Sequence, residues 1–118
     1  MYPGVDIIEI ERFARACERQ PKLRERLFTL RERMDLQDKG ISSWAVRFAG
    51  KEAVLKTFGT GLRGLSWQDI EIVTLHSGEP VVYLSSRAKE AAALRGGTEV
   101  RISLSHDSSR AIALAILL

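Results

Sequence analysis

Trp44-Ala45-Val46-Arg47-Phe48-Ala49-Gly50-Lys51-Glu52-Ala53-Val54-Leu55-Lys56-Thr57-Phe58-Gly59-Thr60-Gly61 is the stretch on which the reading of this chain turns. At about 100° per residue, Trp44, Phe48 and Leu55 fall in one narrow arc, which predicts a core helix. Glu52 falls inside the same arc, and a carboxylate on a buried stripe is costly without compensation. Lys56 lies one turn further along, close enough to share its side of the helix. Arg47 and Lys51 form another one-turn pair, so the spacing predicts three cations around one anion. Gly59-Thr60-Gly61 then predicts a helix stop with backbone left open to something nearby. Alone, the stretch is equally consistent with an ordinary core helix carrying an internal ion pair.

The remaining composition narrows the choice. A chain of 118 residues with an apolar fraction near one half reads as one soluble globular domain spanning 1–118. The longest apolar run, Ala111–Leu118, is too short to cross a bilayer, and no basic-then-apolar leader opens the chain. Cys17 is the only cysteine, which excludes an internal disulfide and fits the cytoplasm. No Cys/His cluster has zinc spacing, so a metal would be a hard ion on oxygen ligands. The net charge is only +3, but Arg12, Arg15, Arg19, Lys22, Arg24, Arg26, Arg31 and Arg33 make one segment a basic pole. Such a pole suits an acidic protein, a phosphorylated ligand, nucleic acid or an anionic membrane. Aromatic residues do not interleave with it, which argues against single-stranded nucleic acid.

In chain order, Val5, Ile7 and Ile8 read as a short buried strand with Asp6 turned to the opposite face. Asp6 then needs a partner, and capping the next helix is the simplest one. Ile10, Phe13, Ala14 and Cys17 predict a helix to about Gln20, broken at Pro21. Thr29 and Glu32 have capping-box spacing for a helix through Leu36. Gly40 closes that piece, and Ser42 or Ser43 is placed to cap the central helix. Beyond Gly64, the strand of Ile70–Leu75, the turn at His76–Pro80 and the strand of Val81–Leu84 form a hairpin. Ser85 or Ser86 caps a short helix ended by Gly96-Gly97. Two alternating strands, Val100–Ser105 and Ala111–Ile116, joined by the turn that ends at Arg110, complete the chain. The alanines of the last strand call for a helix or a subunit packed closely on them. The pattern is α+β, an antiparallel sheet packed against a long central helix.

Asp6, Glu52 and His106 are each oddly placed for structure alone. Two carboxylates from separate elements suit magnesium, which takes few protein oxygens and completes its shell with water and phosphate. Arg47, Lys51, Lys56 and the Gly59-Thr60-Gly61 turn could then supply charge and N–H groups to a polyphosphate. His106, beside a hydroxyl-rich turn, could donate to another phosphate or move a proton. His76 has only a turn around it and reads as surface.

The order of the pieces carries more than any one of them. Gly4-Val5-Asp6-Ile7-Ile8-Glu9-Ile10-Glu11-Arg12-Phe13, then Arg47-Phe48-Ala49-Gly50-Lys51-Glu52-Ala53 with Lys56 and Gly59-Thr60-Gly61, then Ser103-Leu104-Ser105-His106-Asp107 resemble the holo-acyl-carrier-protein synthases. Ser66–Glu71 and Gly78-Glu79-Pro80 are similar to that family too, so the resemblance spans nearly the whole chain. It implies the 4′-phosphopantetheinyl transferase fold and transfer of the 4′-phosphopantetheine arm of coenzyme A to a serine of an acidic apo acyl carrier protein. The resemblance makes Asp6 and Glu52 the magnesium carboxylates and Lys56 the lysine at the pyrophosphate. It sets Arg47 and His106 beside the coenzyme A phosphates. It also implies a homotrimer with active sites between subunits, and a carrier-binding surface of Arg12 with the basic helix after it, including Arg15, Arg19 and Lys22. Neither nucleic acid nor membrane is an implied partner.

The chain departs from the family pattern in three places. Pro3 stands where an aliphatic residue is usual. Gly50 replaces the commoner alanine at a cost of up to about 1 kcal/mol in helix propensity. Asp107 follows His106 where a hydroxyl residue is frequent, and its charge would weaken a phosphate site unless it faces away. The competing reading is a non-catalytic basic module that binds an acidic protein or RNA, with Glu52 only a structural ion pair. A phosphatase or nucleotidyl enzyme could also use the same carboxylates.

Overall fold

The computed structural model describes residues 1–118. Its central strand is the last one, β5 (Arg110–Leu117), which lies between β1 (Tyr2–Glu9) and β4 (Val100–His106), antiparallel to both. In register, Asp6 stands opposite Ala113, which stands opposite Leu104. Ala111, Ala113 and Ala115 are buried, as are Ala45, Ala49 and Ala53 of the long helix α4 (Ile41–Phe58) packed across that face. Alanine on both sides lets helix and sheet approach closely. The alanine face is therefore filled by the chain's own helix, and no subunit packs on it. At Gly4 the approach is closest of all, since a Cβ there would collide with the Ala53 carbonyl oxygen.

The other face of the same sheet reverses the expectation for the opening strand. Asp6 points inward at 8% exposure, while Val5 and Ile7 are 53% and 59% exposed. Across the ladder, Leu114 pairs with Val5 and Ile112 with Ile7, and both are open to solvent. Alternation of period two is obeyed, but with the acid inside and the aliphatic residues outside. A contiguous apolar patch of this kind marks a surface that another molecule covers.

Helix α1 (Ile10–Arg19) buries Ile10 and Phe13, and the Phe13 ring stacks on Phe48 of α4 at 5.6 Å. Asp6 does not cap it; Glu9 is the N-cap and makes no side-chain bond. After α2 (Leu23–Leu27), helix α3 (Leu30–Leu36) opens with the expected Thr29–Glu32 capping box. Gly40 is the N-cap of α4, so Ser42 and Ser43 lie inside the first turn and cap nothing. Helix α4 stops at Phe58 with Gly59 in the left-handed region, φ 77°. A single 3-10 turn, Trp67–Asp69, leads into the separate hairpin of β2 (Ile70–Thr74) and β3 (Pro80–Leu84). Helix α5 (Ser86–Ala93) is capped by Ser85. The architecture is the expected α+β one, with the strands divided into a three-stranded and a two-stranded sheet.

What fastens α4 to α3 and β2 is a fully buried ion pair. Lys51 Nζ lies 2.5 Å from Glu32 Oε1, both side chains at 0% exposure. The same carboxylate accepts the N–H groups of Thr29 (2.9 Å) and Ile72 (2.8 Å), so both of its oxygens are partnered. Burial pulls the Lys51 ammonium below its ordinary value, and Glu32 opposes that pull. Lys51→Met should lower stability by roughly 3 kcal/mol, because Glu32 would keep a buried charge without its counter-ion. Lys51→Met with Glu32→Leu should recover much of that loss, measured as chemical denaturation midpoints of the two variants.

Candidate active site

The site starts from the one-turn spacing of Glu52 and Lys56 on α4 and from the inward turn of Asp6 on β1. Lys56 Nζ donates to Asp6 Oδ1 at 3.0 Å and to the Val5 carbonyl at 2.8 Å, which ties the helix to the strand. Asp6 Oδ2 is buried without a hydrogen-bond partner. Glu52, half-buried, stands beside it. Burial pushes the Glu52 carboxyl up, the Asp6 carboxylate next to it adds to the rise, and Lys56 offsets only part of this. Two acids thus crowd one position where a single lysine balances them incompletely.

That position opens into a cleft of about 470 Å³ lined by Glu52, Leu55, Lys56, Gly59, Gly61, Leu62 and Trp67. Gly61 lies at φ 61° with nothing against its Cα, so its backbone faces open space. Thr60 is exposed between the two glycines. The structure therefore brings Asp6, Glu52, Lys56 and the Gly59–Gly61 turn together. Trp67, Leu55 and Leu62 complete the walls, and their apolar side chains gave no sequence signal of a cleft.

The other two cations of α4 are elsewhere, which corrects the expectation of three cations around Glu52. Lys51 is sealed beneath the surface on Glu32 and cannot reach a phosphate. Arg47 is 6% exposed and donates to the Ile72 carbonyl (2.5 Å), to Thr74 Oγ1 (3.0 Å) and to Asp35 (3.1 Å). It lines a second cleft with Asp35, Lys39, Ser43 and His76, which shares no residue with the Glu52 cleft. His106, exposed at the end of β4, lines neither of them. Asp107 beside it faces its own turn, accepting the N–H groups of Ser109 (2.8 Å) and Arg110 (2.7 Å).

A third concavity, about 600 Å³, runs between α1, α2 and the start of the sheet. Its floor is apolar, including Phe13, Leu23, Leu27 and Trp67, and Arg12, Arg26 and Arg110 stand on its lining. The basic pole divides here. Arg24 packs over the Trp44 ring at 4.6 Å, Arg31 reaches Glu71 at 3.6 Å and Arg33 donates to the Phe28 carbonyl at 3.4 Å. Arg12, Arg19, Lys22 and Arg26 are exposed; Arg15 is too, with a surface pair to Glu11. Trp67 lines both this groove and the Glu52 cleft.

Glu52 and Lys56 beside a glycine turn, with Asp6 against them, give this α+β chain a cleft suited to phosphoryl groups. Residues 2–115 match the model of the 4′-phosphopantetheinyl transferase superfamily, and the chain belongs to that family. A holo-[acyl-carrier-protein] synthase of Alkaliphilus metalliredigens is 46% identical over 115 residues, covering 96% of this chain and 94% of its own. Helicobacter pylori holo-[acyl-carrier-protein] synthase, crystallised with coenzyme A, superposes with a TM-score of 0.87 at 31% identity, covering 98% of this chain and 99% of that one. The Bacillus anthracis enzyme, in complex with CoA (3′,5′-ADP), gives 0.81 at 32% identity, covering 98% of this chain and 94% of that one.

The raised Glu52 carboxyl has a measurable consequence. A folded state that binds this proton more readily than the unfolded chain loses stability as pH rises through the raised value. At neutral pH the charged Glu52 is thus a burden on the fold. Glu52→Gln should raise the melting temperature by a few degrees at pH 7, and the gain should shrink as pH falls from the raised value to 4.5, the ordinary glutamate value, and be nearly gone below it.

Proposed function

We propose that this chain transfers the 4′-phosphopantetheine group of coenzyme A to a serine hydroxyl of an apo acyl carrier protein, releasing adenosine 3′,5′-bisphosphate. The placing of Glu52 and Lys56 on one glycine-walled cleft, with Asp6 bonded to Lys56 and beside Glu52, in a chain of this family, is the observation that carries the reading. The serine oxygen forms a bond to the β-phosphorus as the bond to the nucleotide oxygen breaks. Glu52 is the side-chain base the site offers for the serine proton. Lys56, already oriented by Asp6 and the Val5 carbonyl, meets the negative charge that grows on the leaving phosphate. The turn after α4 offers backbone N–H groups to the diphosphate.

Magnesium fits these residues. The orphaned Asp6 Oδ2 and the adjacent Glu52 carboxylate give two hard oxygens, the small protein share such an ion accepts. When bound, it supplies charge neutralisation on the diphosphate. The Arg47 cleft and His106 are separate from this half-site, and the open Val5, Ile7, Ile112 and Leu114 face supports association of copies. In a homotrimer, a neighbouring copy brings its Arg47 cleft and His106 to the coenzyme A phosphates. The carrier docks on the exposed Arg12, Arg15, Arg19 and Lys22 surface and the groove beside it, where acidic residues meet arginines over an apolar floor. The enzyme works in the cytoplasm, where coenzyme A and its carriers meet.

Incubation with coenzyme A, magnesium and an apo carrier should raise the carrier mass by one phosphopantetheinyl group. Asp6→Ala and Glu52→Gln should each cut turnover by at least about 100-fold while the protein stays folded. An unchanged carrier mass with the wild type would contradict the reading. Reversing Arg12 and Arg19 to Glu should raise KM for the carrier about tenfold or more and steepen no salt dependence for coenzyme A, checked by steady-state kinetics at two ionic strengths.

A further inference from the structure

The turn that closes the Glu52 cleft is held from behind by a residue 38 positions away in the chain. Arg95, just beyond α5, donates from Nη1 to the Thr57 carbonyl at 3.0 Å. Its guanidinium lies over the Tyr2 ring at 4.2 Å. It also sits so close to Gly59 that a Cβ there would collide with it. One planar cation therefore joins the start of β1, the end of α4 and the turn. The last carbonyls of a helix lack partners within the helix, and a cation at that end is favoured by the dipole.

The consequence concerns Gly59-Thr60-Gly61. Two glycines with φ of 77° and 61° make a backbone that, left alone, samples many shapes. Arg95 blocks one side of that backbone, while the side at Gly61 remains open to the cleft. Gly59 is thus required twice, once for its left-handed φ and once for the space the guanidinium occupies. A turn fixed before its ligand arrives loses less entropy on binding.

We propose that Arg95 is a positioning residue that holds the Gly59–Gly61 turn in the shape that receives the diphosphate of coenzyme A. This rests on the coenzyme A site of the reading given above. Arg95 touches no substrate; it acts through Thr57 and Gly59. Tyr2 is its platform, and the pair accounts for an aromatic residue at the first position of β1.

Coenzyme A binding by calorimetry, amide exchange and steady-state kinetics test this on the intact protein. Arg95→Ala should weaken coenzyme A binding about five- to tenfold and raise its KM alike, with kcat at saturating coenzyme A within about twofold of wild type. Amide exchange at residues 60–63 should quicken in that variant and stay unchanged in β5. Arg95→Lys should recover part of the affinity, since an ammonium can reach the carbonyl but cannot lie flat on the ring. Tyr2→Leu should shift binding in the same direction, by less. Arg95→Ala that binds coenzyme A as tightly as wild type, or that loses kcat and affinity only in step with its folded fraction, overturns the proposal. A wild type that binds coenzyme A but leaves the carrier unmodified overturns the transferase reading and leaves this inference standing. A wild type that binds no coenzyme A overturns both.

Discussion

The structure depends on how closely β1 can lie against α4. Gly4 permits it, because the Ala53 carbonyl occupies the space any side chain there would need. The alanines on β5 and on α4 extend the same closeness across the sheet. Two residues past Gly4, the strand turns Asp6 into the interface, within 3.0 Å of the Lys56 ammonium and beside Glu52. A separation a few ångströms wider would leave that lysine reaching solvent and the two acids apart. The candidate site is thus a product of small-residue packing, and the charged residues exploit a gap that glycine and alanine define.

The two buried charge clusters of α4 obey opposite logic. Lys51 and Glu32 satisfy each other, with two backbone N–H groups completing the carboxylate, and nothing in that arrangement is left over for a ligand. Asp6 and Glu52 are left unsatisfied, with one carboxylate oxygen orphaned and one carboxyl pushed up. A satisfied cluster fastens the fold; an unsatisfied one keeps a cost that a ligand of opposite charge would relieve. Adjacent residues in the sequence, Lys51 and Glu52, thereby serve different ends because they leave the helix about 100° apart.

Much of this was legible in the residues. The Glu52–Lys56 spacing, the Thr29–Glu32 capping box, the Gly59 stop and both hairpins are local patterns, and each stands where spacing placed it. What failed was non-local. Val5 and Ile7 look buried because apolar residues normally are, yet they face outward on an exposed patch. Lys51 and Lys56 are the same residue type five positions apart, and only tertiary packing shows that one is sealed on Glu32. The alanine face of β5 called for a close partner without saying whether it was helix or subunit. Arg95 carries no motif, since its role comes from contacts to Tyr2 and Thr57 at long sequence separation.

The central claim is that Asp6 and Glu52 hold one divalent cation against a diphosphate. Crystals grown with coenzyme A and manganese in place of magnesium test it most directly through anomalous scattering. The account predicts a single anomalous peak within bonding distance of a carboxylate oxygen of each acid and of a diphosphate oxygen. A peak elsewhere, or coenzyme A bound with its diphosphate away from Lys56 and no metal between the two acids, would contradict it.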